Sequence, residues 1–278
     1  MTIDLLLLRL ILAFVVGSVW VTLVTIIAER AGSSIGGFVG GLPSISVFSF
    51  LFIGLNQSPE VASQATTVFP LILSFSGLFA LFYALLARRG FALGLSCSFV
   101  IWFALDATVV VFRFQSYAAS IAAFAVISIV TYLVFERQLD LPNFQGTQIH
   151  YTVGQILFRA LLAGSVVVLA VLMSEIGGPI FGGIFSAFPA VFTSTLYIMN
   201  KSRGLDYSRA ITKPLMISAT LTSAPYSVTV RYTYPALGVV AGTLVSYALV
   251  IPFAVLSYYL SKRNNRTTTI EASNMDTE

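Results

Sequence analysis

The chain has 278 residues, of which 57% are hydrophobic and only 9% charged, and its mean hydropathy is +0.92. Soluble domains carry roughly 25% charged residues, so this composition excludes an ordinary water-soluble domain and reads as a polytopic membrane protein. A net charge of +4 is too small to suggest nucleic acid, one cysteine (Cys97) excludes an internal disulfide, and one histidine (His150) excludes a multi-histidine metal site; no cofactor is expected.

A membrane span needs about 20 apolar residues. Nine stretches qualify, roughly 4–28, 34–56, 62–87, 91–112, 115–135, 151–173, 178–200, 208–232 and 236–260. The first lacks a basic start and a small-residue cleavage site, which predicts a retained helix rather than a signal peptide. It carries Arg9 near one end, and Glu29 follows at the other. The second contains GGFVGGLPS, with Gly36, Gly37, Gly40, Gly41 and Pro43; so many helix-weakening residues in an apolar setting predict an interrupted helix. The third holds Thr66, Thr67, Ser74 and Ser76. The fourth holds Asp106, roughly 22 Å along the helix from Phe91 at about 1.5 Å per residue. Arg9 falls at a similar depth, so an Asp106–Arg9 ion pair is within geometric reach. The alternative is an Arg9 that snorkels outward while Asp106 faces an aqueous vestibule.

The fifth stretch joins two halves. The sixth carries Arg159 and the eighth Lys213, both placed to snorkel toward the cytoplasm. The seventh contains GGIFSAFPA, with Gly182, Gly183 and Pro189, just after Glu175. The eighth has seven hydroxyls (Thr212, Ser218, Thr220, Thr222, Ser223, Ser227 and Thr229), more than helix packing requires, and is expected to line a polar cavity; Pro225 offers a second kink there. The tail from Ser261 to Glu278 is polar and expected to be disordered.

Alternate connections place Arg30, Arg88, Arg89, Arg137, Lys201, Arg203, Arg209, Lys262, Arg263 and Arg266 on one side, against Arg9, Arg113 and Arg231 on the other. The skew predicts an external N-terminus and a cytoplasmic C-terminus, as an odd span number requires, in a cell (inner) membrane.

The two broken motifs belong to a longer repeat. At an offset of 146 residues, Glu29, Gly32, Gly36, Gly37 and Pro43 meet Glu175, Gly178, Gly182, Gly183 and Pro189. Further on, Pro70 and Ser74 meet Pro214 and Ser218, FALG at Phe91 meets PALG at Pro235, and FALD at Phe103 meets YALV at Tyr247, leaving Val250 opposite Asp106. The predicted fold is therefore an all-α membrane bundle of about nine transmembrane helices. It has a four-helix repeat in 1–112, a linking helix and loop in 113–150, a second repeat in 151–260 and a tail in 261–278. One linking crossing after four spans inverts the second repeat, the arrangement of many secondary transporters, whose sites use interrupted helices near the midplane. Close helix packing through glycine is the competing explanation of the motifs.

A Gly-rich entry followed by a proline, then a polar loop, a proline-containing span and a small-residue-rich fourth span, resembles the small four-helix GlpM-like membrane proteins. GGLPS and GGIFSAFPA carry the likeness in the two halves. The resemblance implies a four-helix unit in each half and brings no substrate or catalytic residue with it. The likeness to small multidrug transporters and their fused ten-helix relatives is one of architecture alone.

The expected function is alternating-access transport of an ion, a hard cation by the oxygen-rich ligand set, or of a small polar solute. Pathway candidates are the glycines and prolines of the two motifs, Asp106, Arg9, Ser218, Thr220 and Thr222, with Glu29 and Glu175 as gates at opposite ends or as helix caps. Expected partners are lipids and the solute, with the oligomeric state open. A membrane scaffold is the second reading. An intramembrane enzyme is disfavoured, since no HExxH, aspartate pair or phosphate loop is present.

Overall fold

The computed structural model of the chain describes residues 3–30, 42–139, 141 and 151–275. Among these residues the secondary structure is helical throughout, with no strand. In chain order the helices are α1 (Ile3–Arg30), α2 (Ser44–Asn56), a short α3 (Pro59–Ala65), α4 (Phe69–Leu86), a 3-10 turn (Ala87–Arg89), α5 (Phe91–Val111) and α6 (Tyr117–Arg137). Then come α7 (Val153–Gly177), a short α8 (Pro179–Ser186), α9 (Ala190–Arg203), a short α10 (Leu205–Ala210), α11 (Thr212–Leu237) and α12 (Val239–Met275).

Local chemistry sets the helix ends. Thr152 and Gln155 form a capping box at the start of α7: the Gln155 amide donates to Thr152 Oγ1 at 3.3 Å, and the Thr152 amide to Gln155 Oε1 at 3.0 Å. The same helix ends at Gly178, whose φ of 83° is costly for any residue with a Cβ, and Pro179 then starts α8. Ser58 caps α3 through the Val61 amide, with Pro59 at the first helical position.

Seven helical segments among the described residues are long and apolar enough to cross a membrane: Leu5–Ile27, Phe69–Arg89, Phe91–Val111, Tyr117–Arg137, Val153–Gly177, Pro179–Arg203 and Val239–Ser257. The sequence predicts nine. The difference has two sources: only Ser44–Asn56 of the second expected span is a described helix, and α11 is too rich in hydroxyls to qualify. Outward-facing Val100, Val111, Phe112, Val126 and Leu244 are exposed, as an apolar surface turned to lipid requires.

The core lies around α4, which is buried along most of its length and packs on α5, α6 and α11. Phe50 of α2 meets Phe69 of α4 at 5.1 Å and Tyr226 of α11 at 6.4 Å between ring centroids. A second seam joins α1 to α7. There Ser18 Oγ donates to the Ala160 carbonyl at 3.0 Å, and a Cβ on Gly164 would come within 2.2 Å of Ser18 Oγ.

α11 is one helical segment that contains Pro225, the position of the expected kink. Pro235 closes α11 rather than opening the next span: Gly238 precedes α12 as Gly90 precedes α5, so the expected pairing of FALG with PALG slips by about one turn. α12 itself extends to Met275, through a stretch with neither glycine nor proline to stop it.

Candidate functional site: a hydroxyl-lined cavity between two helix starts

Pro43 and Pro189 stand immediately before α2 and α9, and the backbone does the same thing at both. Pro43 has φ −75° and ψ 66°, Pro189 φ −75° and ψ 44°. In each case the next amide folds back across the proline: Ser44 N donates to the Leu42 carbonyl at 2.8 Å and Ala190 N to the Phe188 carbonyl at 2.7 Å. These are inverse γ-turns, a shape that proline's fixed φ favours. A helix cannot pass through such a turn, so a helix begins just after each proline.

The two helix starts meet at one cavity of about 80 Å³, lined by both prolines. That is room for a few waters or a small solute. Seven hydroxyl residues contribute to its wall: Ser44, Ser46, Ser76, Ser186, Ser218, Thr222 and Ser223. The rest is apolar, including Leu73, Phe188, Phe192 and Leu215, and among the described residues none that lines it is ionisable. Ile45, Ser46, Val191 and Phe192 also line it, so the first turns of both helices border the space. First-turn amides have no partner inside their own helix, and helix N-termini carry partial positive charge.

The end of α8 supplies carbonyls at the same place, and serines from the other half of the chain satisfy them. Ser46 Oγ donates to the Ser186 carbonyl at 3.3 Å, and Ser76 Oγ to the Ala187 carbonyl at 2.9 Å. Trp102 Nε1 donates in turn to Ser76 Oγ at 3.2 Å. Phe188, in the break itself, is held by the rings of Trp102, Phe99 and Phe103 at 5.3, 5.7 and 6.4 Å. Ser44, Ser186 and Thr222 likewise donate to carbonyls, of Leu42, Gly182 and Ser218, so these lining hydroxyls keep only their accepting capacity, and the donors left at the cavity are the first-turn amides.

The glycines play a different part from the one their motif suggests. Gly182 and Gly183 lie inside α8, which is intact; the interruption is at Ala187–Pro189. A Cβ on Gly183 would sit 2.1 Å from the Ala65 carbonyl oxygen, and one on Gly182 would sit 2.7 Å from Ser174 Cβ. The pair lets α8 lie directly on α3 and α7. Gly36, Gly37, Gly40 and Gly41 lie outside the described residues.

The ionisable candidates are not gathered at the cavity. Arg9 donates to the carbonyls of Asn56 at 3.1 Å and Leu55 at 3.3 Å, at the C-terminal end of α2 where a cation is favoured. Asp106 is 4% exposed, and neither carboxyl oxygen has a hydrogen-bond partner. The expected Asp106–Arg9 pair is therefore not formed: the open carbonyls ending α2 claim the guanidinium instead. Glu175 accepts from Asn56 Nδ2, and Glu29 from the Tyr151 amide, each at 3.3 Å. Both acids sit at helix C-termini, where an anion opposes the dipole, so they are not caps; they tie neighbouring segments together. Lys213 pairs with Glu136 and lies over the Tyr132 ring rather than snorkelling alone.

Ser218, Thr222 and Ser223 are the hydroxyls of α11 that reach the cavity. Thr220 Oγ1 points to Met216 Sδ at 3.7 Å, and Thr212, Ser227 and Thr229 bond carbonyls one turn back. Sequence reasoning missed Ser44, Ser46, Ser186, Trp102 and Phe188. Ser44 and Ser186 flank the two prolines within the motifs, a signal that was available; Trp102 had none beyond its rarity.

Residues 156–262 match a family described as "Protein of unknown function (DUF3147)". No curated protein and no solved structure matches the chain.

Proposed function

We propose that the protein is a cell-membrane transporter that binds a small polar solute in the cavity between the starts of α2 and α9 and releases it by alternating access. The observation that carries this reading is the placing of Pro43 and Pro189, 146 residues apart, on one hydroxyl-lined cavity. A bundle with interrupted helices at a shared polar space has the layout of a secondary transporter.

An inverted repeat is supported by three contacts that recur at the same offset. Ser18 and Gly164, themselves 146 apart, face each other where α1 crosses α7, as residues on a pseudo-two-fold axis must. Arg9 donates to the Asn56 carbonyl, and the equivalent Gln155 donates from Nε2 to Ser202 Oγ at 3.0 Å, Ser202 being the equivalent of Asn56. The inverse γ-turns at the two prolines are the third. The family match of residues 156–262 coincides closely with the second unit, which favours the four-helix unit as the evolutionary module. The GlpM-like resemblance of each half fits the same view.

The cavity chemistry favours a neutral or acceptor-bearing solute over a hard cation. Hard divalent cations take several carboxylate or carbonyl oxygens, whereas here no described lining residue is ionisable and the carbonyls of Ser186 and Ala187 already accept serine hydroxyls. The open amides of two helix N-termini suit an acceptor on the solute, and the lone pairs of hydroxyls that already donate to carbonyls suit a donor, a pairing that a neutral hydroxylated solute offers. The ten-to-three skew of basic residues supports an external N-terminus and a cytoplasmic C-terminus.

The test is uptake into proteoliposomes of a panel of radiolabelled small solutes: polyols, sugars, amino acids and rubidium ion. The expected result is uptake above protein-free vesicles for at least one neutral solute, reduced about tenfold in Thr222→Val, which removes a cavity hydroxyl at constant shape. No uptake of any solute, or uptake of rubidium alone, would overturn the reading.

A further inference from the structure

We propose that Asp106 is a proton-binding site inside the membrane, linked to the cavity through Trp102 and Ser76. Asp106 lies within the apolar span Phe91–Val111, five residues from its end, on the buried face of α5 that also carries Trp102 and Val109. It is 4% exposed, and both of its oxygens lack a hydrogen-bond partner.

A carboxylate stripped of water and left without a counter-charge costs so much that the group takes up a cation or neutralises. The elements packed on α5 present none at this level. On α4 the one titratable side chain is Tyr83, whose hydroxyl is engaged with Ser208 Oγ at 2.7 Å. Arg88 and Arg89, in the 3-10 turn, lie at the far end of α5, roughly 22 Å away along the helix. On α5 itself the other titratable group is Cys97, nine residues back. Beyond the helix end, Arg113 is exposed in the turn, and Tyr117 at the start of α6 has Arg231 over its ring at 4.0 Å. The described surroundings supply no metal-ligand group for Asp106 either. A proton is the cation that needs no further ligand: the carboxylate binds it from water and returns it to water, with no other bond made or broken.

The link to the cavity is structural. Trp102 is one helical turn before Asp106 on the same face, its Nε1 donates to Ser76 Oγ, and Ser76 donates to the Ala187 carbonyl in the break before α9. Any movement of that break displaces Ser76 and the indole, and through α5 the packing that keeps water from Asp106. This coupling rests on the transporter reading above; the proton site itself does not.

The experiment is carbodiimide labelling of the full chain in lipid nanodiscs, followed by peptide mass spectrometry. Dicyclohexylcarbodiimide enters membranes and adds to protonated carboxyls, forming a stable N-acylurea. The expected result is an adduct at Asp106, absent with a water-soluble carbodiimide, whose rate falls roughly tenfold per pH unit once the proton is leaving. For the coupling, Ser218→Cys in a Cys97→Ala background is filled with a methanethiosulfonate reagent. Filling is expected to change the Asp106 labelling rate severalfold, and Trp102→Phe, which keeps the ring but loses the donor, is expected to suppress that change. No adduct at Asp106, or a rate independent of pH, overturns the proton site. A labelling rate unmoved by filling the cavity overturns the link. Labelling of this kind in a protein that takes up no solute would sink the transporter reading and leave the site standing.

Discussion

Gly183 shows how little space the interior leaves. A methyl group there meets a backbone carbonyl oxygen at 2.1 Å, and a backbone atom cannot swing aside as the end of a side chain can. Gly183→Ala should therefore destabilise the protein by about 1–3 kcal/mol, read as a lower thermal unfolding temperature in detergent; an unchanged midpoint would mean that α8 does not lie on α3 as described. Arg9 and Asp106 make a second test at this scale. Arg9 is bound to the carbonyls that end α2 and Asp106 has no hydrogen-bond partner, so the effects of Arg9→Gln and Asp106→Asn should add in the double variant within about 0.5 kcal/mol. A double variant milder than the sum would restore the ion pair that depth alone suggests. Arg231, by contrast, is held on several sides, by the Ser63 carbonyl, Thr66 and Thr67 hydroxyls and the Tyr117 ring, although it sits among apolar helices. Its neighbours show why a charged residue in a span is not by itself a site.

Among the elements, the crossing of α1 and α7 is the most exacting. Gly17 faces Val167 and Gly164, while Gly164 faces Ser18 and the Phe14 carbonyl. Gly164→Ser places two hydroxymethyl groups in the space of one and should separate the helices. The exchange Ser18→Gly with Gly164→Ser restores one small and one larger partner and should recover most of the lost thermal stability; an exchange no better than the single variant would show that the two positions are not equivalent.

The elements also show what a sequence reveals and what it hides. Helix existence was legible because about 20 apolar residues in lipid have few other options. The helix starts after Pro43 and Pro189 were legible because proline both fixes φ and lacks the amide. The role of Gly182 and Gly183 was not: a glycine that breaks a helix and one that admits a neighbour look alike until the neighbour is known. Partner choice was equally hidden. Depth brought Arg9 and Asp106 level, but α2 ends with open carbonyls beside Arg9, and only tertiary structure says where a helix ends in space. The register of α12 slipped because FALG and PALG match as letters while Gly90 and Gly238 match as turns.

For the whole molecule, the distribution of basic residues makes a prediction independent of any site. Reporter fusions at Glu278 should be active in the cytoplasm and silent outside; the reverse result would invert every assignment of face, gates included. The two clusters that hold Glu175 and Glu29 have a matching form. Arg9, Asn56 and Glu175 meet at one end of the α1–α7 pair, and Glu29 and Tyr151 at the other. If the bundle rocks about the Ser18–Gly164 crossing, loosening one cluster should tighten the other, since both pivot on the same two helices. Cross-linking of cysteines placed at Asn56 and Glu175 should then reduce uptake about tenfold or more, and reduction of the bond should restore it. Full uptake by the cross-linked protein would exclude that motion.

The polarity of α11 has a consequence for how the chain is made. Its hydroxyls and two prolines leave it too polar to qualify as a span on its own, yet Tyr226 and Tyr234 are buried in the finished core. Such a segment gains little by leaving the translocation channel for lipid alone. Its following helix is different: α12 is strongly apolar over Val239–Ser257 and answers α11 through Tyr234 to Thr243 at 2.6 Å and Thr233 to Ser246 at 2.7 Å. α11 should therefore wait at the channel until α12 emerges and enter the bilayer as half of a hairpin. A chain truncated just after Gly238 would leave α11 stranded on the ribosome side, its span never completed.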